Sequence, residues 1–127
     1  SPANIQINSV LSFSGEVLSV APWIMKLVPK LLCMNERVAI NGRWRHGAIS
    51  YVPVGAANVG SIIIESPIKS NSIVKTGAEI GHFELGSTVV LVFEAPEGSQ
   101  FMVHPGQSVK LGQPLLKVKY SWFNLFK

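Results

Sequence analysis

Outside one short segment, the apolar residues of this chain come in brief β-branched runs separated by turn formers. That spacing suits strands and leaves no room for a helical bundle. Residues 4–10 alternate polar and apolar, the period-2 mark of a half-buried strand. Residues 37–40, 48–54 and 60–64 are further strand candidates, with Asn41-Gly42 reading as a turn between the first two. Residues 83–93 read as one long strand around Thr88-Val89-Val90-Leu91-Val92-Phe93, and residues 114–118 close the set. Only residues 22–34 look helical, with Pro22 suited to a first turn and Trp23, Ile24, Leu27, Val28, Leu31 and Leu32 at helical spacing. Pro29 inside that stretch predicts a kink or two short helices. A weak echo joins Val74-Lys75-Thr76-Gly77 to Val103-His104-Pro105-Gly106, each expected as strand, glycine turn, strand. The expected fold is mostly β (α+β): an antiparallel barrel or sandwich-like single domain over residues 1–127, with one or two short amphipathic helices.

The 127 residues are 47% apolar and only 14% charged, so disorder is excluded and the surface should be poor in charge. Such a surface points to burial against a partner chain, a preceding segment or a lipid surface. The net charge of +4 is spread without a basic run, which argues against nucleic acid as a partner. All seven acids are Glu, so a Ser-His-Asp triad within this stretch is ruled out by counting. The one cysteine, Cys33, excludes an internal disulfide framework and is expected as a packed core thiol beside Leu31, Leu32 and Met34. No apolar run approaches the roughly 20 residues of a spanning helix. No signal-peptide pattern is expected either.

The chemically informative stretch is Leu85-Gly86-Ser87-Thr88 on the lip of a strand. Glycine has no Cβ, so its carbonyl is approachable and its backbone tolerates distortion. Ser87 Oγ is adjacent to that carbonyl, and attack on Gly86 C=O would turn the amide into an ester by an N→O acyl shift. A base removing the serine α-proton would then expel the ester. The dehydroalanine left behind tautomerises and hydrolyses to a pyruvoyl group on the new amino terminus. Intramolecular placement can supply roughly 7–11 kcal/mol of such a barrier, and a general base must still activate the hydroxyl. On spacing alone, a Gly-Ser-Thr tripeptide is also a common strand-edge turn.

The surrounding wording adds to this. Leu85-Gly86-Ser87-Thr88, Asn35-Glu36-Arg37-Val38, Trp44 with His46-Gly47, Val52-Pro53-Val54-Gly55-Ala56 with Asn58-Val59-Gly60-Ser61-Ile62, and Phe93-Glu94-Ala95-Pro96 together resemble the phosphatidylserine decarboxylase family, in order, over residues 1–118. The resemblance implies cleavage between Gly86 and Ser87, a β chain ending at residue 86 and an associated α chain of residues 87–127. It implies a covalent pyruvoyl cofactor derived from Ser87 that forms a Schiff base with the substrate amine. It further implies phosphatidylserine as substrate, phosphatidylethanolamine and CO₂ as products, and no metal. A bacterial or mitochondrial inner membrane as the site of peripheral attachment fits it, as does a homo-oligomer. The family's self-cleavage histidine and activating Asp are expected before residue 1, since Ser1-Pro2-Ala3-Asn4 looks like the continuation of a His-x-x-His-Ser-Pro segment. Ala21, in Ser19-Val20-Ala21-Pro22, departs from the family's usual Asn.

The in-chain histidines make poor bases by sequence. His82 lies five residues before Ser87, roughly 17 Å away in an extended strand. His46 and His104 sit in turn contexts, and no histidine pair has zinc spacing. The segment at residues 22–34, with Lys26 and Lys30, reads either as a core helix under the sheet or as an interfacial helix among lipid headgroups. The aromatic residues 120–127 read as a similar anchor. The competing functional reading is a non-catalytic carrier module of the lipoyl or biotinyl type, or a relative unable to mature. Carriers need a lysine at an exposed hairpin tip, and Pro96-Glu97-Gly98-Ser99 has none.

Overall fold

The computed structural model describes residues 1–57, 62–84 and 87–119. In chain order the elements are β1 (Ile5–Phe13), α1 (Pro22–Leu27), α2 (Leu31–Met34), β2 (Arg37–Trp44), β3 (Gly47–Val54), β4 (Ile62–Ile64), β5 (Ile73–Val74), β6 (Gly81–Phe83), β7 (Thr88–Phe93), β8 (Gln100–Phe101) and β9 (Leu116–Lys117). Five strands form one antiparallel sheet in the order β5-β1-β2-β3-β7, while β4 pairs with β6 and β8 with β9. The mostly β class with two short helices is as expected.

Period-2 alternation turns one face of the large sheet inward. Ile5 and Ile7 of β1, Val38 and Ile40 of β2, Ile49 of β3 and Val74 of β5 meet Ile68 and Ile80 in one buried cluster. Each such side chain contributes about 1.5–3 kcal/mol relative to exposure. Trp44, Tyr51, Leu91 and Phe93 extend that face toward a groove of about 920 Å³, also lined by residues 1–3, 76–77, 109–116 and 118. Burial raises the Tyr51 hydroxyl above its ordinary pKa.

Three readings of the sequence need correction. Asn41-Gly42 is not a turn: both residues lie inside β2, opposite Ser9 and Ile7. The hairpin turns instead at Arg45-His46, where Glu94 Oε2 accepts from Ala48 N at 2.6 Å and Trp44 Nε1 donates to the Glu94 carbonyl at 3.0 Å. Residues 83–93 do not form one strand, because β6 and β7 serve different partners. Cys33 is exposed rather than core. Its helix, α2, is four residues long and turns only Leu31 inward.

The prediction of two short helices holds. Val28, just before Pro29, is extended at φ −108°, as the proline ring demands, and Lys30 takes a left-handed φ of 60° before α2 starts. Pro22 sits in the first turn of α1 as expected. The core-helix reading fails for α1, which buries none of its residues. Its N-cap, Ala21, has the extended backbone a capping residue uses but no side chain to cap with. Ala21→Asn should therefore stabilise the fold by about 1 kcal/mol, read as a rise of a few degrees in thermal midpoint; no rise would show that α1 is not limited by its first turn. The echo survives at its turns: Ala78 N donates to Lys75 O and Gln107 N to His104 O, both at 3.0 Å, around Gly77 and Gly106 at φ 80°. A left-handed third residue is what such turns require. Val103, however, lies outside any strand.

Candidate functional site

Ser87 stands at the foot of the β3–β7 ladder. Thr88, the first residue of β7, pairs with Val54, the last of β3, so the serine falls just past the final rung. It is half-buried, and its Oγ–H donates to the Val54 carbonyl. That carbonyl orients the hydroxyl but, having no useful basicity, cannot take its proton. Leu85 and Gly86 lie outside the described residues, as do 58–61 and the aromatic tail from 120.

The corner that receives Ser87 is held from behind. Gly55 N donates to the Glu36 carbonyl at 2.8 Å, fixing the same peptide plane whose oxygen meets Ser87. Gly55 O accepts from Asn35 Nδ2 at 2.8 Å, and the same amide nitrogen donates to Leu18 O at 2.7 Å. Asn35 Oδ1 in turn accepts from Leu18 N at 3.2 Å. Asn35 is 0% exposed, and among the described residues it is the one buried polar side chain. Arg37, the Cα partner of Val54 on the other side, donates from Nη1 to the carbonyls of Cys33 (2.6 Å) and Asn35 (3.2 Å) and stacks over Phe13 at 4.5 Å. Sequence reading named Asn35 and Arg37 only as family wording and gave neither a role. The available signal was a carboxamide and a guanidinium close together next to a helix end.

None of the three histidines is bonded to Ser87 Oγ, whose partner is the Val54 carbonyl. His46 occupies the β2–β3 turn at the opposite end of β3, roughly 26 Å from Val54 along the strand. It packs edge-on to Trp44 at 4.7 Å with Nε2 buried and unbonded. Desolvation first, and the nearby Arg45 charge second, hold its pKa below the usual value. His104 is a turn residue, as expected. His82 is exposed, with Nδ1 3.7 Å from Glu65 Oε1. Although no histidine pair has metal spacing in sequence, the fold brings Glu65, Glu79 and His82 together, their ligand atoms within 4.8 Å of one another. Exposed carboxylates and imidazoles commonly share a surface in this way through ion pairing alone.

On the exposed side of the helices, Trp23 and Leu27 are 66% and 72% exposed, alongside Lys26. Among the described residues no helix is long and apolar enough to cross a membrane.

A family model described as phosphatidylserine decarboxylase matches residues 1–117. The chain is 40% identical over 143 residues to a Schizosaccharomyces pombe protein named phosphatidylserine decarboxylase proenzyme 2, mitochondrial, a match covering 91% of this chain and 28% of that one. A second protein of the same yeast, named proenzyme 1, mitochondrial, is 41% identical over 145 residues, covering 93% and 33%. A Caenorhabditis elegans protein named phosphatidylserine decarboxylase proenzyme, mitochondrial, is 38% identical over 135 residues, covering 91% and 36%. The chain thus spans about a third of the length of these curated relatives. No solved structure matches it.

Proposed function

The chain belongs to the phosphatidylserine decarboxylase family, and from that premise we propose that it is the pyruvoyl-generating segment of a self-cleaving proenzyme that converts phosphatidylserine to phosphatidylethanolamine and CO₂. The observation that carries the reading is Ser87: a half-buried hydroxyl held by a main-chain carbonyl at the start of a strand, inside the motif Leu85-Gly86-Ser87-Thr88. The relatives' names, all proenzymes, support a processed precursor of two associated chains.

Ser87 Oγ attacks the Gly86 carbonyl carbon, the Gly86–Ser87 amide bond breaks, and an ester to Oγ replaces it while the amine is freed. Loss of the Ser87 α-proton expels the Gly86 carboxylate, and water then displaces ammonia. The residue at 87 fits the group that results, because its side chain is neither sealed in the core nor free in solvent, and the next residue is pinned in the ladder. The pyruvoyl carbonyl supplies an acceptor for the substrate amine and a sink for the electron pair left by departing CO₂. Among the described residues no side chain bonds Ser87 Oγ as a base, and the family resemblance implies that the proton is taken by a histidine of a His-x-x-His-Ser-Pro segment preceding Ser1-Pro2.

Intact-mass analysis of the complete gene product tests this. Two polypeptides are expected, the shorter beginning at residue 87, blocked, and lighter than its serine-started equivalent by the mass of ammonia. Borohydride reduction with radiolabelled phosphatidylserine should tag that shorter chain. An uncut product, or a free serine terminus, overturns the reading.

The substrate sits in a bilayer, and the relatives named mitochondrial support attachment at a mitochondrial membrane. The exposed Trp23 and Leu27 beside Lys26 and Lys30 suit a peripheral contact with anionic headgroups. In flotation with phosphatidylserine-containing vesicles, replacing both apolar residues by serine should weaken binding by at least about tenfold, since burying either is worth about 1.5–3 kcal/mol. Unchanged flotation would move the membrane contact elsewhere.

A further inference from the structure

We propose that Asn35 is a positioning residue for Ser87, an inference that rests on the proposed scission at Gly86-Ser87. Every polar group of Asn35 is engaged. Its N–H caps α2 at Leu31 O (3.1 Å), its carbonyl accepts from Arg37, its Oδ1 accepts from Leu18 N, and its Nδ2 donates to Leu18 O and Gly55 O. Only a carboxamide satisfies this set, which needs one acceptor and two donors in a side chain with no exposure. The bond to Gly55 matters most for chemistry. Together with Gly55 N to Glu36 O it fixes the Val54–Gly55 corner, and the Val54 carbonyl of that corner is what holds Ser87 Oγ. Asn35 therefore sets where the nucleophile stands without touching it. Displacing a nucleophile by about 1 Å can cost on the order of 10²-fold in rate.

Asn35→Asp separates positioning from mere support. An ionised carboxylate at this position would face two carbonyl oxygens, those of Leu18 and Gly55. Once protonated, it regains one donor. The neighbouring charged residues are Glu16, Glu36 and Arg37, and the Arg37 bonds go to main-chain carbonyls, leaving the carboxamide to Leu18 and Gly55. In the complete gene product, Asn35→Asp should self-cleave about 100-fold more slowly than the parent at pH 8, with the gap narrowing to about tenfold at pH 5. Ile7→Val, which loosens the buried core and leaves the corner untouched, should cleave within about twofold of the parent at both pH values. To separate folding from positioning, Asn35→Asp is folded at pH 5, jumped to pH 8, and followed by chain splitting and circular dichroism together. Splitting that slows while the dichroism persists supports the role. A rate ratio that does not change with pH, or splitting lost only in step with the dichroism, overturns it. Cleavage at this bond in Ser87→Ala would instead overturn the scission itself, so the two failures are distinct.

Discussion

Ser87→Ala is expected to leave the complete gene product as one polypeptide and to lower decarboxylation by more than about 10⁴-fold, because under the proposed scission the adjacent hydroxyl supplies both the proximity for cleavage and the atoms of the pyruvoyl group. The fold should survive. Ser87 is half-buried, and its loss removes a single hydrogen bond to Val54 O, worth about 1 kcal/mol. Circular dichroism and thermal midpoint should therefore stay close to the parent's while splitting and activity vanish together. Ser87→Cys is the informative companion. A thiol at the same position can form a thioester with the Gly86 carbonyl, so slow splitting is expected where alanine gives none. A Ser87→Ala product that still divides at residue 86 would show that another group attacks this carbonyl.

The second large effect concerns stability. Gly42→Ala should cost about 3 kcal/mol and lower the thermal midpoint by about 10 °C. A Cβ at this position would collide with the Gln6 carbonyl oxygen and stand 2.8 Å from Ile5 Cγ2. The neighbouring strand comes this close because the β1–β2 register shifts between Ile7 and Ser9, leaving Asn8 as an extra residue. A melt within about 2 °C of the parent would mean that the bulge can slide to make room.

The same glycine shows where the sequence was legible and where it was not. Asn-Gly is a strong local turn signal, yet a glycine also serves close backbone approach, and only the partner strand reveals which use applies. The strand character of β1, β2, β3 and β7 could be read from alternation and β-branching, because both are local properties. Proline likewise announced the break between α1 and α2. Long-range pairing was not local: nothing in residues 83–93 says that β6 joins β4 while β7 joins β3. Cys33 was misjudged because apolar neighbours at helical spacing imply burial only if the helix lies on the core, and α2 is too short to turn more than Leu31 inward. At the candidate site, Ser87 was singled out from wording and chemistry, and the family resemblance on which that wording rested is borne out. The significance of Asn35 depends on Leu18 and Gly55, seventeen and twenty residues away, and could not be read from the sequence around it.

A cut at the foot of the β3–β7 ladder would leave its two sides joined. Six registered pairs, Thr88 to Phe93 against Val54 to Ile49, tie the newly made end to a strand belonging to the other fragment. Severing the backbone there removes a covalent link without removing an anchor. The fresh terminus can swivel at residue 87 while the strand beyond it stays clamped. The two pieces should co-migrate through any native separation and come apart only in denaturant.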